Sequence, residues 1–500
     1  MPHISLVFRK RKMESLPHSR RSFLVAATAA TGGFALKRAF GEPPDLAALS
    51  LKQASELLRG KATSPVELTQ ACLKRIEMSN AALNAFITIT GEQALERARQ
   101  METEQSQGKW RGPLHGIPIA LKDNIDTAGV RTTAASGVFK DRVPSEDAEV
   151  VRRLKEAGAV FLGKLNLHEF AYGGTSTISY FGPVHNPWAP DHISGGSSGG
   201  SAAATAADLC FGSLGTDTAG SVRIPSSYCG AVGFKPTYGR VSMRGIIPLC
   251  WSLDHCGPIC RTVEDTALML GAIAGYDRFD PASVDVPVPD YTRSLNLETS
   301  SLRLGVPRTP FFDDLDSEVA NAVEAAIGEL RTITRSVTDT KLPPFPPMMP
   351  VMAAEAYAYH EKWLAASPDL YQPLTRNRIR ESAANITGPD YAEALRQINL
   401  ARRDIVKCFS TVDLIVTPTM RRTAETFPES KNFDPQGIRN TSPFDLFGLP
   451  TISVPCGFSG SGLPIGLQIS GAPWAESTVL TLAHAYEQRT PWHSRHPRLA

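Results

Sequence analysis

The sequence predicts an α/β fold in which helices cover both faces of a β-sheet. The prediction comes from apolar, strand-like runs that alternate with helix-like segments. Ala148 to Ala157 has a helical pattern and precedes an apolar strand at Val160 to Leu165. Ser201 to Asp208 favours a helix, and Leu209 to Leu214 a short buried strand. His115 to Leu121 is a compact apolar run and is predicted to be another buried strand.

Periodicity and turn residues predict the other elements. Further helices are expected at Leu46 to Arg59, Ser64 to Ser79, Glu92 to Glu104, Ser317 to Leu330, Ala353 to Ala365, Tyr391 to Phe409 and Glu476 to Gln488. Further strands are expected at Leu304 to Pro307, Leu414 to Thr417, Thr451 to Val454 and Ile465 to Ile469. Ser64 suits an N-cap because Pro65 follows it at the first helical position. The proline-rich stretch Pro343 to Pro350 marks a crossover into a variable helical region at about 350–410.

Composition is that of an ordinary globular protein, and the charge distribution argues against a nucleic-acid ligand. Hydrophobic residues make up 42% and charged residues 20% of the chain. The first 40 residues hold eight Lys and Arg against one acidic residue. The rest holds 44 Lys and Arg against 49 Asp and Glu, a net charge of −5. A mildly acidic body without a basic stripe is not expected to bind nucleic acid.

The basic N-terminus has the pattern of a targeting segment. Ser19 to Val25 contains paired arginines and leads into an apolar run that ends at Leu36, the order of a twin-arginine export signal. The run is too short and too rich in Ala, Thr and Gly for a stable membrane span. We therefore expect residues 1–40 to direct export to the periplasm and residues 41–500 to form a single domain. If the segment is not functional, the protein is cytoplasmic.

The cysteine pattern predicts neither a structural metal site nor any other cofactor. The eight cysteines include no Cys-x-x-Cys pair, and the chain has no His-Glu-x-x-His motif. Cys250, Cys256 and Cys260 lie close enough in sequence for a disulfide in an oxidising environment. We favour free buried thiols, because twin-arginine cargo folds in a reducing cytoplasm before export.

The stretch from His192 to Thr237 has the composition of a site. Its glycine–serine cluster at 195–200 runs directly into a helix-like and then a strand-like segment, which a flexible linker has no reason to do. The glycines therefore mark places where the backbone passes close to another group.

Within this stretch, Ser221 is a candidate nucleophile. The backbone amides of Thr218, Ala219, Gly220 and Ser221 are candidates to stabilise the oxyanion that forms when a serine attacks a carbonyl. Serine needs a nearby base, and no histidine lies in this turn. A buried lysine can serve instead, because desolvation lowers its pKa. Lys122, at the end of an apolar run, is the natural candidate.

Three separated blocks resemble the amidase signature family, whose hydrolases use a Ser-cis-Ser-Lys triad. They are GIPIALKDNID at 116–126, SGGSSGGSAAA at 194–204 and GTDTAGSVRIPSSYCGAVGFKPTYGRV at 215–241, within a core signature region of about 115–265. The likeness extends to FGLPTISVPCGF and GLPIGLQISG at the C-terminal end. The resemblance implies a single large mixed β-sheet between layers of α-helices.

The resemblance also implies a role for individual residues. It places the base on Lys122, the bridging serine on Ser197 and the nucleophile on Ser221, with Ser197 in a cis peptide. Ser197 and Ser198 are chemically alike, and only the family's spacing to the nucleophile favours Ser197.

Four flanking residues are implied to support this triad. Asp217 and Arg223 would orient the nucleophile loop by hydrogen bonding, and Thr175 and Ser176 would lie near the substrate. In the variable helical region, Tyr357, Trp363 and Tyr371 are weaker candidates for substrate contact, and packing between helices is the favoured alternative.

The implied function is hydrolysis of a carboxylic acid amide to the acid and ammonia or an amine. An alternative is the glutamine-hydrolysing subunit of a tRNA-dependent amidotransferase, and a non-enzymatic alternative is a periplasmic binding protein that retains the fold. The expected ligand is a small-molecule amide, and a homodimer is the default oligomeric state. The amide itself is not encoded by any motif in the chain.

Overall fold

A computed structural model describes residues 45–432 and 435–498. The predicted targeting segment at 1–40 lies outside these residues. The chain from Leu46 onward forms one compact unit. Within the described residues, every helix is too short or too polar to cross a bilayer.

One mixed sheet of eleven strands runs through the described residues. The strands are β1 (Phe86–Ile89), β2 (Pro118–Lys122), β3 (Val160–Leu165), β4 (Ser213–Asp217), β5 (Val232–Lys235), β6 (His255–Cys260), β7 (Arg303–Val306), β8 (Ser336–Asp339), β9 (Leu414–Pro418), β10 (Thr451–Phe458) and β11 (Pro464–Gly471). Their order is β1-β3-β2-β4-β6-β5-β10-β11-β9-β7-β8. The predicted α/β fold with a single large mixed sheet is confirmed.

Fourteen α-helices accompany the sheet in the described part of the chain. They are α1 (Leu51–Arg59), α2 (Pro65–Leu83), α3 (Gly91–Ser106), α4 (Glu149–Glu156), α5 (Gly199–Ala206), α6 (Arg223–Cys229), α7 (Val263–Ile273), α8 (Tyr291–Ser294), α9 (Ser317–Ile333), α10 (Met349–Ala366), α11 (Pro373–Ala383), α12 (Gly388–Asp404), α13 (Ser442–Leu446) and α14 (Glu476–Glu487). The start of α2 is as predicted: the Ser64 hydroxyl accepts from the Glu67 amide, and the Glu67 carboxylate accepts from the Ser64 amide.

Strand register brings the lysine to the glycine-rich segment. β2 and β4 are parallel neighbours, with Leu121 opposite Leu214. The carboxyl ends of the two strands therefore lie at the same edge of the sheet. Lys122 is the last residue of β2, and Asp217 is the last residue of β4. Lys122 and Thr216 are 94 residues apart in sequence, and their side chains meet at this edge.

Several predicted boundaries were wrong. The strand predicted at Leu209 to Leu214 begins only at Ser213, because Leu209 and Phe211 are buried within the turn that follows α5. β5 and β6 were missed, since both are completely buried central strands and lack the polar–apolar alternation of a half-exposed strand.

All eight cysteines are free thiols, as favoured from the sequence, so Cys250, Cys256 and Cys260 form no disulfide. The sulfhydryl of Cys250 instead donates to the Glu355 carboxylate at 3.1 Å. Cys260 lies 3.4 Å from the sulfur of Met269.

Candidate active site

Lys122 ends in a completely buried position at the edge of the sheet. Its amine donates to the hydroxyl of Ser197 at 2.7 Å and to the hydroxyl of Thr216 at 2.8 Å. Burial lowers the pKa of Lys122 to about 7, although the carboxylates of Asp217 and Asp254 act in the opposite direction. A substantial fraction of this amine is therefore neutral near neutral pH, as a general base requires.

Ser197 follows a cis peptide bond with Gly196 and faces the lysine. Its carbonyl oxygen accepts hydrogen bonds from the His168 amide at 3.0 Å and from the Ser176 hydroxyl at 3.2 Å. The neighbouring Ser198 points elsewhere: its hydroxyl donates to the carbonyl of Thr216 and accepts from the Thr216 amide. The two adjacent serines thus have different partners, and only Ser197 contacts the lysine amine.

Ser221 lies in the turn between β4 and α6. Its carbonyl oxygen accepts from the amide of Ser198 at 3.3 Å, which places it beside the bridging serine. Ser221 is 9% exposed, whereas Lys122 and Ser197 are fully buried. Among the described residues its hydroxyl has no hydrogen-bond partner. The structure therefore shows the predicted contact between Lys122 and Ser197, and among the described residues no hydrogen bond joins the Ser197 and Ser221 hydroxyls.

The predicted set of four oxyanion donors needs one correction. The Gly220 amide donates to the Asp217 carboxylate at 2.5 Å and is already engaged. The amides of Thr218, Ala219 and Ser221 have no acceptor among the described residues. Gly220 has φ +132, and a Cβ there would lie 2.3 Å from the Thr441 hydroxyl, so glycine shapes the turn while its amide stabilises it.

Arg223 is the centre of a fully buried network below this turn. All five guanidinium N–H groups are used: two reach Asp217, one reaches Asp445, one the carbonyl of Thr441 and one the side chain of Gln468. Burial favours a raised pKa for Asp217, but the Arg223 guanidinium outweighs it and holds that pKa well below its ordinary value. Asp217 also accepts from the Val222 amide at 3.0 Å. The turn at residues 218–222 is called the nucleophile turn here, after its candidate nucleophile Ser221. The predicted pair of Asp217 and Arg223 therefore joins the nucleophile turn to α13.

Asp445 was missed by the sequence analysis. It is completely buried, and burial together with the nearby Asp217 carboxylate raises its pKa well above the ordinary value. The available signal was a single acidic residue inside the apolar run PFDLFGLP, because a carboxylate in such a run needs a buried partner.

The predicted substrate contacts are placed differently. The Ser176 hydroxyl is buried, donates to the Ser197 carbonyl and accepts from the Gly199 amide at 3.1 Å. Ser176 therefore supports the backbone of the bridging serine instead of facing a substrate. The Thr175 hydroxyl bonds to Thr177 at 2.8 Å and to His168 at 3.3 Å, so its substrate contact stays a prediction.

Two of the three aromatic candidates of the helical region, Trp363 and Tyr371, pack against other ring side chains. The Tyr371 hydroxyl lies 3.0 Å from His360, and the ring centroids of Trp363 and Phe139 are 4.9 Å apart. Tyr357 is 37% exposed.

Among the described residues, no group of three His, Cys, Asp or Glu side chains is placed to hold a metal ion.

Comparison with known proteins agrees with this arrangement. The sequence profile of the amidase family matches residues 67–480, which is most of the chain. This chain belongs to the amidase family. The matched range includes every element of the site, from the strand that carries Lys122 to the helix that carries Asp445.

Individual relatives in the amidase family are named for different activities. The chain is 43% identical over 481 residues to a glutamyl-tRNA(Gln) amidotransferase subunit from Moorella thermoacetica, covering 90% of this chain and 98% of that protein. It is 42% identical over 468 residues to an amidase of Pseudomonas putida, with 91% and 98% covered. The solved structure of a peptide amidase from Stenotrophomonas maltophilia matches with a TM-score of 0.79 and 32% identity, over 90% of this chain and 98% of that one.

Replacement of Arg223 by lysine tests the buried network. Lysine keeps the charge but cannot provide five donors in one plane, so Asp217 and Asp445 lose buried partners. We expect Arg223→Lys to lower the free energy of unfolding by about 3 kcal/mol, measured by denaturant titration.

A matched control is Arg303→Lys, because Arg303 and Asp413 form the same paired contact with about a third of each side chain exposed. We expect this change to cost less than about 1 kcal/mol. Equal losses in the free energy of unfolding in the two variants would contradict the inference that Arg223 is the main stabilising contact of the nucleophile turn.

Proposed function

We propose that this chain is an amidase that hydrolyses a carboxylic acid amide to the acid and ammonia or an amine, and that it works without a partner protein. The proposal is carried by the contact between the buried amine of Lys122 and the hydroxyl of Ser197, next to the turn that holds Ser221. A lysine with its pKa near 7 supplies the base that the serine turn lacks.

In the proposed mechanism, neutral Lys122 takes a proton from Ser221 through the hydroxyl of Ser197 while the Ser221 oxygen attacks the amide carbonyl. The amides of Thr218, Ala219 and Ser221 donate to the oxyanion, and each well-placed donor contributes about 3 kcal/mol. The proton then returns through Ser197 to the leaving nitrogen, which breaks the C–N bond and leaves an acyl-serine. Water repeats the sequence and releases the acid.

A second candidate function is the glutamine-hydrolysing step of a tRNA-dependent amidotransferase. It is favoured by the 43% identity to a protein named as one component of a glutamyl-tRNA(Gln) amidotransferase. Against it stands the basic segment with paired arginines at Arg20 and Arg21, for which we propose a role in export to the periplasm. A cytoplasmic location would follow if that segment is not functional.

Ammonia release by the purified protein from aliphatic, aryl and amino-acid amides tests the proposal. We expect turnover of at least one amide in the absence of any other protein, with none in Ser221→Ala. Release of ammonia from glutamine but from no other amide, and only after partner proteins are added, would instead support the amidotransferase function. A Ser221→Ala protein as active as the parent would show that Ser221 is not the nucleophile, and no turnover of any amide by either protein would favour a binding protein that retains the fold.

The two adjacent serines provide a matched pair of variants. We expect Ser197→Ala to reduce kcat by about 10³-fold, because it interrupts proton transfer between Lys122 and Ser221. Ser198→Ala removes hydrogen bonds to the backbone of Thr216 and should reduce kcat less than about tenfold. Steady-state kinetics on the best amide compares them, and a larger loss in Ser198→Ala would reassign the bridging role.

The pH dependence follows from the neutral amine. Since only deprotonated Lys122 accepts a proton, kcat/KM should rise with pH through an acid limb at about pH 7, where the amine titrates. A pH–rate profile measures this limb. A kcat/KM that stays constant between about pH 5 and 9 would contradict a lysine base.

A further inference from the structure

Asp254 has a fixed position between the nucleophile turn and the loop that precedes β6. One carboxylate oxygen accepts from the Thr218 hydroxyl at 2.5 Å. The other accepts from the backbone amides of Leu249 and Cys250 at 2.9 and 3.0 Å. The side chain is buried, so these three donors hold the carboxylate in a single orientation.

Thr218 is the first residue of the nucleophile turn, and its amide is one of the three with no acceptor among the described residues. A β-branched side chain has few χ1 rotamers, so anchoring its hydroxyl also restricts the backbone that carries it. The hydrogen bond to Asp254 therefore constrains the direction in which the Thr218 amide points.

The loop that carries Asp254 is fixed in turn from the helical region. The carboxylate of Glu355, on α10, accepts from the Ser252 amide at 3.0 Å and from the Ser252 hydroxyl at 2.5 Å. It also accepts from the Cys250 sulfhydryl and, at 3.0 Å, from the Tyr391 hydroxyl on α12. A continuous set of hydrogen bonds thus links α10 and α12 to the nucleophile turn.

We propose that Asp254 is a positioning residue: it sets the direction of the oxyanion donors through the Thr218 hydroxyl, and Glu355 holds the loop from which it acts. The inference rests on the proposed amidase function and deepens it. Asp254 contacts no reacting atom in this scheme. It makes the geometry of the oxyanion donors depend on the position of the helical region.

Asp254 has a second, electrostatic effect on the base. Its carboxylate raises the pKa of Lys122 against the larger lowering by burial, and burial raises the pKa of Asp254 itself to about 7. Asp217 and Cys256 act on Lys122 in the same direction as Asp254, and the buried His168 also faces it. Since Asp254→Asn leaves these three groups in place, it should lower the pKa of Lys122 and move the acid limb of kcat/KM to lower pH.

Four variants test the inference: Asp254→Asn, Thr218→Val, the double variant and Thr218→Ser. We expect each of the first two to reduce kcat about 10- to 100-fold, with KM changed less than about threefold, because the donors act in the transition state. The double variant should be no slower than the worse single one, since both changes act on the one hydrogen bond between Thr218 and Asp254. Thr218→Ser keeps the hydroxyl that donates to Asp254 and should therefore lose less kcat than Thr218→Val.

Asp265→Asn is the matched control for general destabilisation. Asp265 is also buried and accepts from two backbone amides, those of Leu51 and Lys52 at the start of α1. We expect this variant to lose stability without any change in kcat or in the acid limb of the pH profile. If it reproduces both effects of Asp254→Asn, a merely structural role is the explanation and the inference is overturned.

Labelling of Ser221 by a fluorophosphonate separates this inference from the proposed function. The Ser221 oxygen forms a bond to phosphorus, fluoride leaves, the serine proton passes to Lys122 and charge develops on the phosphoryl oxygen. We expect slower labelling in Asp254→Asn and Thr218→Val, even if no amide in the panel is a substrate. Labelling and turnover rates equal to wild type in both variants, or independent effects that multiply in the double variant, would overturn the inference.

Discussion

The desolvation of one amine underlies the chemistry proposed for this protein. An exposed lysine stays protonated near neutral pH and cannot accept a proton. Lys122 is the last residue of a fully buried strand, and its hydrogen bonds go to the hydroxyls of Ser197 and Thr216 and the carbonyl of Thr216. No carboxylate forms an ion pair with it among the described residues. The fold thus removes the water that would stabilise the charge and supplies neutral acceptors in its place.

The nucleophile turn is stabilised differently from the amine of Lys122, which has only neutral hydrogen-bond partners. Here the protein buries full charges and compensates them: Arg223 uses all of its donors, and Asp217 accepts from both that guanidinium and the turn's own amides. Such a network is costly to assemble and costly to break, which makes it suitable for holding a geometry. Two sets of hydrogen bonds hold the turn. Arg223 binds Asp217 at its start, and Asp254 accepts from the Thr218 hydroxyl.

The relatives of this chain are named for more than one biological role. Proteins named as an amidase and as a component of an amidotransferase share about the same identity with this chain. We expect differences in substrate to arise in the parts that surround the site, among which α10 and α12 are linked through Glu355 to the loop that carries Asp254. A shared site therefore defines a reaction class before it defines a substrate.

The sequence alone determined the fold class, the strand that ends at Lys122 and the residues of the turn, because apolar runs and glycine clusters are local patterns. The chemistry of the residues does not distinguish Ser197 from Ser198, and only the family's spacing favoured Ser197; the tertiary structure turns the Ser197 hydroxyl toward the lysine and the Ser198 hydroxyl toward the Thr216 backbone. Only the tertiary structure reveals the engaged amide of Gly220 and the contacts of Asp445 and Asp254. Hydrogen bonds have direction and join residues distant in the chain, and neither property is recorded in a local pattern of residue types.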